Sequence, residues 1–120
     1  MGMDQTAPFC LLLLGQPTLR HRLRQGAFTA LDQRIAVRYA ITGLDAKETT
    51  SYVTHHLALA GRSDTLFSDD ALALIHEVSR GLPRQVNNLA VAALIAAFAA
   101  KKAIVDESAV RVAVAEAANE

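Results

Sequence analysis

The first forty residues contain two apolar segments that their pattern assigns to strands. Phe9 to Leu14 is a continuous apolar run stopped by a glycine and a proline, which is typical of a strand buried on both faces of a parallel sheet. Leucine is a poor strand former, so a short helix is the alternative for this run. Residues 35–42 alternate in polarity and predict a half-buried strand, with short helices expected at 18–25 and 28–33.

After Gly43 the hydrophobic period changes from two to about 3.6, and the pattern predicts four helices. Asp45, with Glu48 three residues later, predicts the first helix start, and Ser68 and Asp106 are further N-cap candidates. Pro83 fits the first turn of the third of these helices. That helix carries a long apolar stripe, which predicts a central position in a bundle: Val86, Leu89, Ala90, Ala93, Leu94, Ala97 and Phe98.

These elements predict a mainly α fold with a small α/β part, in which one or two strands precede a four-helix bundle. We expect a strand-bearing piece at residues 8–43 and a helical domain at residues 44–120. One parallel strand and its crossover cannot satisfy their backbone hydrogen bonds alone. We therefore expect the strands to need neighbours that this sequence does not supply.

Composition narrows the class of protein. Apolar residues make up 52% of the 120 residues, enough for a core, and twelve basic residues balance twelve acidic ones. No overall positive field drives nucleic-acid binding, so any such role would be local. The single Cys10 beside an apolar run suits a buried thiol in a reducing compartment, and no apolar segment is long enough to insert into a membrane. These features predict a cytoplasmic protein.

Three motifs occur in an informative order: Gly15-Gln16-Pro17, then Gln33-Arg34-Ile35, then residues 81–84, Gly-Leu-Pro-Arg. In this order they resemble the second half of an AAA+ ATPase module. The segments "LLGQPTLR", "LDQRIAVRYAITGLD" and "SRGLPRQVNNLAVAAL" are most similar to the ExeA-like ATPases of the general secretion pathway and their transposition-associated relatives. The resemblance implies that residues 8–43 end an AAA+ α/β core and that residues 44–120 form its lid.

By this resemblance Gln16 stands at the first sensor position, where a polar side chain orients the water that attacks the terminal phosphate. The alternative for Gln16 is a turn residue after a strand. Arg34 corresponds to the arginine finger, which stabilises transition-state charge in a neighbouring subunit. Arg38 is the competing candidate, and a solvated or ion-paired arginine is the alternative for both.

The resemblance also implies that Pro83 and Arg84 bind nucleotide as the second sensor. Arg84 follows Pro83 at a predicted helix N-terminus, where free N–H groups and the helix dipole favour an anion. A cation is disfavoured there unless something anionic is normally present. A structural ion pair is the alternative, and the neighbouring Asn87 and Asn88 are expected to form helix-to-strand hydrogen bonds.

The sequence lacks a Gly-Lys dipeptide and therefore a phosphate-binding loop of the form G-x-x-x-x-G-K-[ST]. The implied cofactor is ATP, with Mg²⁺ held only by parts outside these residues, and the chain alone is expected not to hydrolyse ATP. Asp106 follows an apolar run like a metal-holding strand, but its place before a helix favours an N-cap. The four histidines lack zinc-ligand spacing, so no metal site is predicted.

The expected partners are the rest of the ATPase module and neighbouring subunits, which include further copies of the same chain. A DNA-binding module is an alternative function, suggested by the basic segment from Arg20 to Arg24. A plain helical protein-interaction domain is the other alternative.

Overall fold

A computed structural model describes residues 8–119 of the chain. Six α-helices form within these residues, which divide into two compact units between residues 40 and 41. The prediction of a mainly helical fold is confirmed.

The first unit contains two short helices. α1 spans Pro17–Leu23 and α2 spans Thr29–Gln33, with a 3₁₀ turn at Gly26–Phe28 between them. Pro17 occupies the first turn of α1, where its missing N–H costs no helix hydrogen bond. Leu23 is the buried apolar residue of this unit in the part of the chain that the structure describes.

The two predicted strands are not formed between residues 8 and 119. The run from Phe9 to Leu14 has no strand pairing and its large side chains are exposed. Val37, Tyr39 and Ile41 are more than four-fifths exposed, so this segment is not half-buried as predicted. The physical reason is the absence of a partner strand in this part of the chain, since an unpaired strand can neither satisfy its backbone groups nor cover its apolar faces.

The prediction that Cys10 is buried is also wrong. Its side chain is a free thiol in an exposed position and is not buried. Its expected burial depended on the same strand, because an apolar run is covered only when a sheet forms around it.

The second unit is a four-helix bundle made of α3, Ala46–Leu59, α4, Asp69–Ser79, α5, Pro83–Ala99, and α6, Glu107–Ala118. Asp45 and Glu48 form a reciprocal capping box at the start of α3, and Ser68 and Asp106 cap α4 and α6. All three predicted N-caps are confirmed. Each side chain satisfies a backbone N–H that the first turn of a helix leaves without a partner.

The bundle core is shared by all four helices. Ile75 of α4, Val86 of α5 and Val110 of α6 are fully buried, and Val53 of α3 packs against the same cluster. A single parallel bridge between Phe67 and Val105 joins the loops that precede α4 and α6. α5 packs against α3, α4 and α6, as predicted for a central helix, and α4 likewise packs against the other three helices.

One end of the predicted stripe on α5 departs from the pattern. Val86, Leu89, Ala93 and Ala97 are buried, whereas Phe98 is 84% exposed. Phe98 lies in the last turn of α5 next to the buried Ala97, on the face of the helix that also exposes Val91 and Ile95.

Candidate functional site

Pro83 and Arg84 occupy the first two positions of α5, as the sequence predicts. Leu82 is the N-cap residue and provides no side-chain hydrogen bond. The Arg84 side chain is exposed and forms no ion pair within residues 8–119. Arg84 is therefore an exposed cation in the first turn of α5, where free amides also favour an anion.

The start of α5 differs from the starts of the other bundle helices. Between residues 46 and 118, α3, α4 and α6 each begin with a side-chain cap and an acidic residue in the first turn, and α5 has neither. An acid or a cap would occupy the N–H groups and offset the positive end of the dipole. The positive potential at the α5 start is thus uncompensated by the side chains of its own first turn.

The turn that leads into α5 is held against the segment that leads into α3. Arg80 and Gly81 both have left-handed backbones, with φ of 56° and 74°. The Leu44 N–H donates a hydrogen bond of 2.8 Å to the Gly81 carbonyl oxygen. Gly43 and Leu44 lie near the end of the quoted segment LDQRIAVRYAITGLD, and Gly81 lies near the start of the segment SRGLPRQVNNLAVAAL, so these two segments meet here.

Sequence reasoning missed this contact. The sequence pattern marked Gly43 as the point where the hydrophobic period changes and Gly81 as the first residue of a motif. Glycines at both positions were a signal of close backbone approach. Their pairing across nearly forty residues could not be deduced without the bundle geometry.

Gln16 is the N-cap residue of α1 but makes no side-chain capping bond. Its carbonyl oxygen accepts a hydrogen bond from the Leu19 N–H at 2.8 Å, and its side chain is exposed. The predicted position after the apolar run is therefore free to engage a polar group, although that run is not a strand here.

Arg34 and Arg38 have different surroundings. Arg38 Nη2 lies 2.9 Å from Asp32 Oδ1 and also donates to the Asp32 carbonyl oxygen. Asp32 Oδ1 is buried and has no aligned hydrogen bond within residues 8–119, so its ionic contact with Arg38 is what offsets its charge. Arg34 is the exposed C-cap residue of α2 and forms no ion pair in the described residues. Of the two, Arg34 is the arginine available to an external phosphate.

Asn87 has a partner different from the expected one. The Tyr52 hydroxyl of α3 donates a 3.1 Å hydrogen bond to Asn87 Oδ1 of α5, so the contact joins two helices and not a helix to a strand. His76 Nδ1 of α4 lies 2.9 Å from the buried Thr49 Oγ1 of α3. Both pairs fix the packing of α3 on the rest of the bundle.

The carboxylates that cap α3 and α6 have lowered pKa values. The hydrogen bond from the Glu48 backbone N–H lowers the pKa of Asp45. Hydrogen bonds from the Ser108 hydroxyl, Lys102 and the Ala109 N–H lower the pKa of Asp106 well below its usual range. Asp106 therefore caps α6, as predicted. Its contacts do not support the alternative that it ends a metal-holding strand.

Two further observations concern metal ligands and membrane spans in the described residues. No group of three or more His, Cys, Asp or Glu side chains within residues 8–119 is placed to hold a metal ion. None of the helices in this range combines the length and apolarity needed to cross a bilayer.

Among known proteins, the chain is similar to a component of the general secretion pathway. This relative is the general secretion pathway protein A of Aeromonas hydrophila, which is 38% identical over 96 residues. The match covers 80% of this chain and 18% of the relative, so only a segment of that protein is compared. No model of a protein family matches the chain, and no solved structure matches it. The similarity agrees with the secretion-pathway part of the resemblance drawn from the motifs.

Proposed function

We propose that this chain is the nucleotide-sensing and lid portion of an AAA+ ATPase of a secretion-pathway or transposition-type machine. In this proposal residues 8–43 end the α/β core, residues 44–120 form the lid, and the lid couples ATP binding and hydrolysis to subunit assembly and movement. ATP would be held with Mg²⁺ by a phosphate-binding loop outside these residues.

The observation that carries the proposal is the uncapped start of α5 with Arg84 in its first turn. Arg84 and the free N–H groups provide a planar cationic fork beside a helix N-terminus, the arrangement that suits a phosphate. The similarity to a general secretion pathway protein supports the same assignment. The exposed run from Phe9 to Leu14 agrees with a segment that pairs only inside a larger sheet.

Roles for the other candidate residues follow from the same proposal. Gln16 would orient the attacking water, and Arg34 would reach the nucleotide of a neighbouring subunit. The ion pair between Arg38 and Asp32 favours Arg34 over Arg38 as the finger, because Arg38 already has an anionic partner and Arg34 has none in the described residues.

ATP turnover by the ATPase that contains this segment tests the proposal. We expect Arg84→Ala to lower kcat/KM by about ten- to a hundredfold, since a hydrogen bond to a charged group contributes about 1.5–3 kcal/mol. Arg111→Ala is the matched control, because Arg111 is an exposed arginine of the same unit whose partner is Glu107. Equal turnover in the Arg84→Ala variant and the unmodified protein would argue against the proposal.

DNA binding is a second candidate function that one observation favours. Residues 8–40 contain five arginines and a single aspartate, and that aspartate forms an ion pair with Arg38. Arg20, Arg22 and Arg24 therefore leave a local positive surface on and just after α1. A salt-sensitive shift of short duplex DNA that disappears when these three arginines become alanine would support this candidate.

A further inference from the structure

The contact between Gly43 and the turn before α5 leaves no room for side chains. A Cβ on Gly81 would lie 1.9 Å from the Leu44 carbonyl oxygen, and a Cβ on Gly43 would lie 2.3 Å from the Arg80 carbonyl oxygen. Both neighbouring atoms belong to the backbone, which cannot rotate away as a side chain can. Glycine at both positions is therefore a requirement of this backbone approach and of the Leu44 hydrogen bond.

The α4 side of the contact is held in one shape. Ser79 is buried, and its Oγ accepts a hydrogen bond from the Gly81 N–H at 3.1 Å. The same hydroxyl donates to the His76 carbonyl oxygen at 3.3 Å. The left-handed turn is thus tied to the last turn of α4 and has little freedom of its own.

The α3 side of the contact is held as firmly. Gly43 and Leu44 lead directly into Asp45, whose capping box with Glu48 fixes the start of α3. One turn later the fully buried Thr49 meets His76 of α4. A displacement of the turn at residues 80–81 would therefore be transmitted to the backbone at residues 43–44.

We propose that Gly43 and Gly81 are positioning residues that hold the Arg84 turn against the segment entering the lid, so that a phosphate contact at Arg84 is transmitted to that segment. The proposal rests on the nucleotide-sensing function proposed above. Arg84 follows Gly81 by three residues with Pro83 between them, and proline stiffens the connection by fixing its own φ. Residues 43–44 lie between the first unit and α3, at the start of the bundle. A movement of the lid would therefore change the backbone at these residues.

Amide exchange in the 120-residue chain tests the contact independently of nucleotide. We expect Gly43→Ala and Gly81→Ala to accelerate exchange of the Leu44 amide by roughly tenfold, the effect of losing about one hydrogen bond. Two glycines provide matched controls. Gly26→Ala adds a Cβ in open space, and Gly61→Ala adds one in open space at a similarly positive φ of 94°. Unchanged Leu44 exchange in the Gly43→Ala variant would overturn the proposal.

An ester in place of the Leu44 amide provides a second variant if an alanine variant fails to fold. Incorporating leucic acid at this position removes the N–H donor to Gly81 and adds no Cβ. We expect the ester to shift the backbone resonances of residues 80–84 while leaving the core of the bundle unchanged. Resonances of residues 80–84 identical to those of the amide would contradict the proposed contact.

Turnover in the ATPase that contains this segment tests the positioning role. We expect Gly43→Ala to lower kcat about tenfold, as small misplacements of a phosphate-binding group do. Combined with Arg84→Ala, it should lower kcat no further than Arg84→Ala alone, because both changes remove one function. An additional loss in the double variant would show a merely structural role and overturn the proposal.

The two proposals fail in distinguishable ways. If Arg84→Ala lowers turnover and Gly43→Ala does not, the positioning role is wrong and the nucleotide-sensing function stands. If Arg84→Ala has no effect, the sensing function is wrong, and the positioning role falls with it.

Discussion

Individual charged residues in this chain differ mainly in whether another side chain already neutralises them. Asp45 and Asp106 accept hydrogen bonds from backbone amides at helix starts, and Arg38 forms an ion pair with Asp32. Arg34 and Arg84 are exposed and form no ion pairs within residues 8–119. Sequence motifs could nominate these arginines but could not separate Arg34 from Arg38, because that distinction depends on which of them folds back onto Asp32.

Arg34 and Arg38 give a matched pair of variants. In the ATPase that contains this segment, Arg34→Ala should lower turnover by about 10³ or more, the effect typical of losing an arginine finger. Arg38→Ala should leave turnover within a few-fold, because Arg38 serves the structure of the first unit through Asp32. Turnover lost with Arg38→Ala and kept with Arg34→Ala would reverse the assignment.

The lowered pKa of Asp106 predicts that the stability of the fold depends on pH. Its pKa in the folded protein lies below the ordinary value of 3.8. Its contribution to stability is therefore present above pH 3.8 and is lost as the pH falls through the lowered pKa, because the unfolded chain then binds the proton more readily. Thermal unfolding between about pH 5 and pH 2 should show a smaller loss of stability in Asp106→Asn than in the unmodified chain. Identical pH profiles would contradict this role.

Among the elements, those after residue 43 were the most predictable. Their helices carry their own start signals, and three of the four begin with the predicted cap. The segments at 9–14 and 35–42 were not predictable in the same way, because a strand depends on partners that local sequence does not contain. Phe98 shows the corresponding limit for a helix, since an apolar pattern cannot show how wide a face the neighbouring helices cover.

Ile75 of α4 tests the packing of the bundle. Ile75 is fully buried, and we expect Ile75→Ala to lower the free energy of unfolding by about 2–5 kcal/mol through lost burial and the cavity that remains. Ile95 of α5 is 63% exposed and provides the control, for which the same substitution should cost less than about 1 kcal/mol. Denaturant unfolding of both variants measures the difference. Similar costs at the two positions would contradict the core described for α4.

At the scale of the whole molecule, the second unit contains the buried apolar cluster, whereas the first contains short helices with exposed apolar segments. We expect this division if, as proposed, the first part pairs inside a larger sheet. The sequence predicted a boundary near Gly43, and the compact units divide at residues 40 and 41. It could not predict the contact that joins Gly43 to Gly81, because that contact exists only once α3 and α4 have packed.

The affinity of the ATPase for ATP tests the central claim most directly, because the start of α5 is proposed to meet a phosphate. Calorimetry on the unmodified protein, Arg84→Lys and Arg84→Ala should give progressively weaker binding, with Arg84→Ala weakened by about tenfold or more. The lysine keeps the charge and loses the planar fork, so its affinity should fall between the other two. Three equal dissociation constants would contradict the claim that Arg84 binds nucleotide.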